Sequence, residues 1–260
     1  RFCQAGYSCR PLRRKSAAVA CRQAIDSLEN SGANEITLSS LSTSDYRDLK
    51  ELTDELIPYC ERSHVSLSVP SLRADNFSRD LMQRRQTGKK SGLTFAPAAG
   101  SPRLRDVINK NITEEDIMKS VRIAFANNYA TVKLYFMLGL PYETMEDVEA
   151  IVDLGKQIVD AYYQNPDRPK GRHLTVNISA SPFVPKPFTP FQWEAQDTLE
   201  EMERKQAFVG SCVRDRKVKY NHHDARTCRI EAVLARGDRR VSRALEEACR
   251  RGFKFDAGSE

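Results

Sequence analysis

The sequence predicts an α/β protein built on parallel strands. Three observations carry this. Short apolar runs of strand length alternate with amphipathic runs of helix length, each strand run ends in a brief turn of Gly, Pro or Ser, and 260 residues are enough to bury a large core. Strand, helix, strand at this spacing implies right-handed crossovers and hence parallel strands. In such sheets and barrels the chemistry gathers at the carboxyl ends of the strands.

The elements follow in order. Ser16 can cap a helix with the stripe Ala18, Cys21, Ile25 and Leu28, closed by Gly32. A strand over 35–39 leads through the polar turn 40–45 to a helix that buries Leu49, Leu52, Leu56 and Cys60. A strand over 65–69 runs into Pro70-Ser71-Leu72-Arg73, then a helix over about 75–85 and a basic loop. The strand 92–95 runs into Ala96-Pro97-Ala98-Ala99-Gly100-Ser101, and a short helix carrying Arg103 and Arg105 follows. Thr113 with Asp116, and Thr144 with Asp147, have capping-box spacing and open two further helices, the second lined by Val148, Ile151, Ile158 and Tyr162. Between them, the apolar run 132–138 is expected to be a buried strand ending at Gly139-Leu140-Pro141. A polar loop over 164–171 precedes the strand 174–180. The remainder reads as helices with the stripes Leu199, Met202, Val209 and Val241, Leu245, Ala248.

Composition bounds the function. No run approaches the 18 apolar residues of a membrane span. Seven cysteines without disulfide-like spacing argue for a reducing, cytoplasmic setting. The net charge is +6, and the first 25 residues carry Arg1, Arg10, Arg13, Arg14, Lys15 and Arg22 with no acid. Such a patch meets phosphates, RNA among them, or is simply solvated. In the tail, Cys212, His222, His223 and Cys228 fit no familiar zinc spacing and read as turn and core residues. Cys3 by itself reads more readily as a packed apolar residue than as a metal ligand.

Six stretches in order resemble one known family. They are Arg-Phe-Cys-Gln-Ala-Gly-Tyr at 1–7, Leu-Ser-Ser-Leu-Ser-Thr-Ser-Asp-Tyr at 38–46, Pro-Ser-Leu-Arg-Ala-Asp at 70–75, Gly-Leu-Thr-Phe-Ala-Pro-Ala-Ala-Gly-Ser at 92–101, Phe-Met-Leu-Gly-Leu-Pro-Tyr-Glu-Thr at 136–144 and Phe-Val-Pro-Lys-Pro-Phe-Thr-Pro-Phe at 183–191. Together they resemble a radical SAM protein of the bacterial group in which a cobalamin-binding-like domain precedes the radical SAM core. The resemblance implies a partial (β/α)6 TIM-like barrel over 1–193, with its first strand and two cluster cysteines upstream of Arg1, and a helical C-terminal extension over 194–260. It implies a 4Fe-4S cluster and S-adenosyl-L-methionine as cofactors, with Cys3 the third cluster ligand; thiolates from one short loop suit iron because soft sulfur can share the cluster. The expected chemistry is reductive cleavage of S-adenosylmethionine to a 5′-deoxyadenosyl radical that acts on a substrate the sequence does not name.

Further site roles come with the resemblance. Phe2 would pack beside the cofactor, Ser71 and Arg73 would hold the methionyl carboxylate, and Gly139 would let backbone approach the adenine. Glu143 would brace that turn, and Phe183 and Val184 would offer the adenine an apolar edge and backbone groups. Relatives place a glutamate after Ala-Pro where this chain has Ala98, so a polar contact near the cofactor is expected to be lost. The expected partners are an electron donor, the upstream domain of the same protein and, with less support, RNA; cobalamin would enter only through a domain outside this chain. Two other readings compete: a catalytically degenerate barrel serving as an RNA- or protein-binding scaffold, and an unrelated parallel-barrel enzyme with a phosphate ligand.

Overall fold

A computed structural model of the chain describes residues 1–40, 43–68, 93–166, 168, 171 and 173–254. Ser71, Arg73 and the helix expected over 75–85 lie outside the described residues. The elements are α1 (Ala5–Ser8), α2 (Ala17–Ser31), β1 (Glu35–Thr37), α3 (Leu49–Arg62), β2 (Ser66–Ser68), β3 (Leu93–Ala98), α4 (Pro102–Val107), α5 (Glu114–Ala126), β4 (Thr131–Leu138), α6 (Met145–Gln164), β5 (Thr175–Pro182), α7 (Leu199–Cys212), β6 (Val218–His222), α8 (Ala225–Arg236) and α9 (Ser242–Arg250).

Every strand pairing is parallel, as expected. β1 pairs with β2, and a second sheet runs β3-β4-β5-β6. Among the described residues these are two open sheets rather than a closed ring. β4 and β5 pair in unbroken register from Thr131 opposite Thr175 to Leu138 opposite Pro182, so their carboxyl ends finish level. That common edge carries the site.

Local chemistry explains the boundaries. The Ser16 hydroxyl accepts the Val19 N–H at the start of α2, and Gly32 ends that helix in the left-handed conformation at φ 64°. Both capping boxes form, Thr113 with Asp116 on α5 and Thr144 with Asp147 on α6. The buried face of α2 is Ala17, Cys21, Ala24 and Leu28, a one-residue rotation from the expected stripe: Ala18 is exposed and Ile25 only half-buried. The expected stripe of α3 is buried throughout.

The main core lies between the second sheet and its helices. Val132, Leu134, Phe136, Val176 and Ile178 pack against Phe125, Ile151, Ile158 and Tyr162. Phe125 and Tyr162 meet edge to face, with centroids 4.9 Å apart. Burying each such aliphatic or phenyl side chain contributes about 1.5–3 kcal/mol. β4 is the buried strand expected, through Val132, Leu134, Phe136 and Leu138 on one face, while Lys133 and Tyr135 are exposed on the other.

Two further corrections concern the tail. Residues 218–222 form a strand, β6, which pairs with β5 from Val176 opposite Val218 to Ala180 opposite His222. The sheet therefore continues past residue 193, and the extension over 194–260 is not purely helical. The face Val241, Leu245, Ala248 is not a buried stripe, since α9 has no buried residue and Leu245 is exposed. All seven cysteines are free thiols, and no described helix is long and apolar enough to cross a membrane.

Candidate functional site

The first residues of the chain are fastened across the carboxyl edge of the second sheet. The Arg1 amino nitrogen donates to the Ile108 carbonyl at 2.8 Å and its Nη1 donates to the Val107 carbonyl at 2.8 Å. The Phe191 N–H donates to the Arg1 carbonyl at 3.4 Å, and Gln4 Nε2 donates to the Pro187 carbonyl at 3.4 Å. Phe2, half-buried, packs onto a small apolar cluster of Ala98, Ala99, Leu104, Ile108, Leu140, Phe183 and Phe191. Phe183 and Phe191 meet edge to face, with centroids 6.0 Å apart. Cys3 is exposed. Cys3 follows Phe2 directly and is not packed away, which removes the packed-residue reading.

The turn from β4 to α6 borders this floor through Leu140. Gly139 lies at φ 79°, where a side chain is strained, and a Cβ there would stand 2.6 Å from Asp197 Oδ2. The Gly139 N–H donates to Glu143 Oε1 at 2.7 Å, and the Leu140 N–H reaches Glu143 Oε2 at 3.5 Å. Lys205, in the middle of α7, bridges Glu143 Oε1 at 2.9 Å and Asp197 Oδ2 at 2.7 Å. The Glu143 side chain is 2 % exposed and that of Lys205 8 %, so the pair is screened from water. Burial pushes the Glu143 carboxyl up, with Lys205 and the two N–H groups opposing it. Burial also works against charge on Lys205, but Glu143 and Asp197 beside it outweigh that and raise its pKa. Glu143 therefore spends its oxygens on its own turn and on Lys205.

The turn from β3 to α4 is knotted by Asp147. Pairing of β3 with β4 slips between Phe95 and Ala98, and Ala98 sits buried at φ 69°. Gly100 is required by close approach: a Cβ would lie 2.4 Å from the Asp147 carbonyl oxygen and 2.6 Å from the Ile151 nitrogen. The Asp147 carboxylate accepts from Ser101 Oγ and from Arg103, as well as from the Thr144 N–H at 2.8 Å. Burial would raise its pKa, but these hydrogen bonds prevail and hold the carboxyl below its ordinary value. Arg105 is 1 % exposed and donates through Nη1 to the Ala99 and Gly100 carbonyls at 3.2 and 2.8 Å, pinning the end of β3.

The residues expected in the site are thus partly gathered. Phe2 and Phe183 belong to the apolar floor, and Gly139 and Glu143 lie on the turn that borders it. Val184 faces the other way, packing with Cys228 and Ala232 of α8. Ser71 and Arg73 lie outside the described residues. Among the described residues no three His, Cys, Asp or Glu side chains come together as a metal site. Cys3 alone cannot hold an iron-sulfur cluster; it can supply one ligand to it. In the tail, His222 lies beside Tyr220, and Cys228 is buried with its thiol pushed up to about 11, first by desolvation and then by Glu231 and Asp224. The sequence reading missed Lys205 and Asp197, although a lysine inside the buried stripe Met202, Lys205, Gln206, Val209 was a usable signal.

Comparison with known proteins bears on the family and the fold. A family model described as the radical SAM superfamily matches residues 1–155. An uncharacterized protein of Methanocaldococcus jannaschii is 31% identical over 246 residues, covering 95% of this chain and 51% of that protein. Among solved structures, Streptococcus suis SuiB bound to S-adenosylmethionine superposes with a TM-score of 0.52 at 11% identity, over 84% of this chain and 46% of SuiB. The archaeal Methanocaldococcus infernus Elp3, with its N-terminus deleted, superposes with a TM-score of 0.50 at 14% identity, over 79% of this chain and 52% of the other. At these identities the structures speak for the fold. The chain spans about half the length of the proteins it matches.

Proposed function

This chain belongs to the radical SAM superfamily, and we propose that its carboxyl-edge floor forms part of an S-adenosylmethionine site in which Cys3 is one of three cysteine ligands to a 4Fe-4S cluster. Membership implies the cluster and S-adenosylmethionine as cofactors. The observation that carries the reading is the fastening of the Cys3 loop across the ends of β3, β4 and β5, where Phe2 packs on the cluster containing Phe183 and the neighbouring Cys3 is exposed. The other two cysteines would stand ahead of Arg1 in a longer protein. When bound, the cluster supplies the electron that cleaves the sulfonium into methionine and a 5′-deoxyadenosyl radical.

The chain's own residues bind and orient. Phe2 and Phe183 keep the floor dry. Gly139 offers backbone without a side chain, and Glu143 fixes that turn. Val184 contributes only its backbone, because its side chain points toward α8. Ser71 and Arg73 remain candidates for the methionyl carboxylate. The core is assigned to 1–193, with the extension over 194–260 lending β6 and α7 to it. The resemblance to the group with an upstream cobalamin-binding-like domain makes that domain and an electron donor the expected partners, with RNA a further candidate for the basic residues 10–15. The cysteine usage suits a reducing, cytoplasmic setting.

The test is 5′-deoxyadenosine release from S-adenosylmethionine by the full-length protein, iron-loaded without oxygen and reduced, beside its Cys3→Ala variant. Release that disappears in the variant is the expected result. A full-length protein that binds no iron overturns the proposal.

A further inference from the structure

We infer that Lys205 is a positioning residue for the β4–α6 turn, and that α7 thereby sets how firmly the chain holds the adenosyl part of its cofactor. The first half stands on geometry alone; the second rests on the function proposed above. Lys205 is a single ammonium group between two carboxylates, Glu143 at 2.9 Å and Asp197 at 2.7 Å, with Glu201 at 3.9 Å. Glu201 is itself paired with Arg204 at 2.7 Å, and among the described residues Lys205 is the cation paired with the Glu143 carboxylate. Glu143 in turn accepts the N–H groups of Gly139 and Leu140, both on the turn that borders Phe2 and Phe183.

The order of dependence is clear from burial. Taking Lys205 away leaves an ionised carboxylate at 2 % exposure with no cation, and such a group either draws in water or turns outward. Either movement releases the two N–H groups. Asp197 adds a second constraint: it packs where a Gly139 side chain would stand, so the turn is clamped from above as well as from below. Position 205 lies 62 residues beyond Glu143 and approaches the turn from a different helix, so the clamp forms only when α7 is docked.

The experiment is site-resolved amide hydrogen exchange on the full-length protein, with equilibrium binding of S-adenosylmethionine to the cluster-loaded form. In Lys205→Met, exchange at Gly139 and Leu140 is expected to accelerate at least about tenfold beyond any change at Leu134 in the middle of β4, and S-adenosylmethionine affinity to fall about tenfold. Lys205→Arg, which keeps the charge, should protect the turn nearly as well as lysine. Glu143→Gln with Lys205→Met should recover protection at Gly139, because the amide oxygen still accepts its N–H and no charge is stranded. Unchanged exchange at Gly139 and Leu140 in Lys205→Met overturns the inference. Faster exchange with unaltered cofactor affinity confines Lys205 to a structural clamp and overturns its bearing on the cofactor. Failure of the unaltered protein to bind S-adenosylmethionine would instead sink the proposed function, while the exchange data still judge the clamp.

Discussion

The β3–α4 and β4–α6 turns are built from the same parts and differ in their access to water. Each has a glycine that no other residue can replace without displacement, and each is tied by a carboxylate to a cation. At the first turn Asp147 pairs with Arg103, whose side chain is 52% exposed. At the second Glu143 pairs with Lys205, whose side chain is 8% exposed. The opposite pKa directions of the two acids follow from this. Asp147 receives enough hydrogen bonds to favour its charge, whereas for Glu143 burial outweighs its donors. Both acids are buried, so the ion pair is open to water at its cation end in one turn and desolvated at both ends in the other.

Breaking the desolvated clamp should have the largest effect. Lys205→Met is expected to lose about 3–5 kcal/mol, against a much smaller loss when Glu143→Gln is added, measured by urea denaturation. Equal losses in the single and double variants would show that the buried charge is not what matters. Next come the glycines. Gly100→Ala meets backbone atoms at 2.4 and 2.6 Å, which cannot move aside cheaply, and should lose about 1–3 kcal/mol. Gly139→Ala meets the end of an Asp197 side chain and should lose about 1–2 kcal/mol from its left-handed φ.

The acid response separates the turns by sign. Asp147 has a folded pKa below its ordinary 3.8, so its contribution is present above that value and fades as pH falls through the lower folded one. Asp147→Asn should be less stable than the parent by about 1–2 kcal/mol at neutral pH, the gap closing in acid. Glu143 has a folded pKa above its ordinary 4.5, so protonation on acidification favours the folded chain at that position. Glu143→Gln should therefore lose ground to the parent as pH falls, and a trend in the same direction for both variants would contradict the contrast. Smallest of all, Arg103→Ala should change stability by less than about 1 kcal/mol, and less still in high salt.

The same contrast explains what was legible in the sequence. Asp147 and Thr144 could be paired by eye, since a capping box spans three residues and its logic is local. The parallel strands could be read from the apolar runs, and the end of β4 from Gly139. Lys205 and Glu143 could not be paired, because nothing local links two helices that meet only after folding. β6 was missed for a different reason. Of its five residues only Val218 is buried, so it lacks the apolar alternation that betrays β4 and β5. The side chains of Phe183 and Val184 enter different clusters, which the sequence could not show because neighbouring residues after a strand end need not share a face. The stripe of α9 was overread: a period of helical spacing indicates a face, and says nothing about what covers it.

That inconspicuous strand has a consequence for the life of the chain away from the candidate site. β6 is the outermost described strand of its sheet beyond β5, and an outermost strand offers unpaired peptide groups to any extended segment that drifts past. Here the exposed border is short and reads Lys219, Asn221, His222, a polar and partly charged fringe in place of the apolar residues of β4 and β5. A newly made copy thus meets its neighbours with a poor template for sheet growth. The residues that made β6 hard to read are the ones that discourage aggregation.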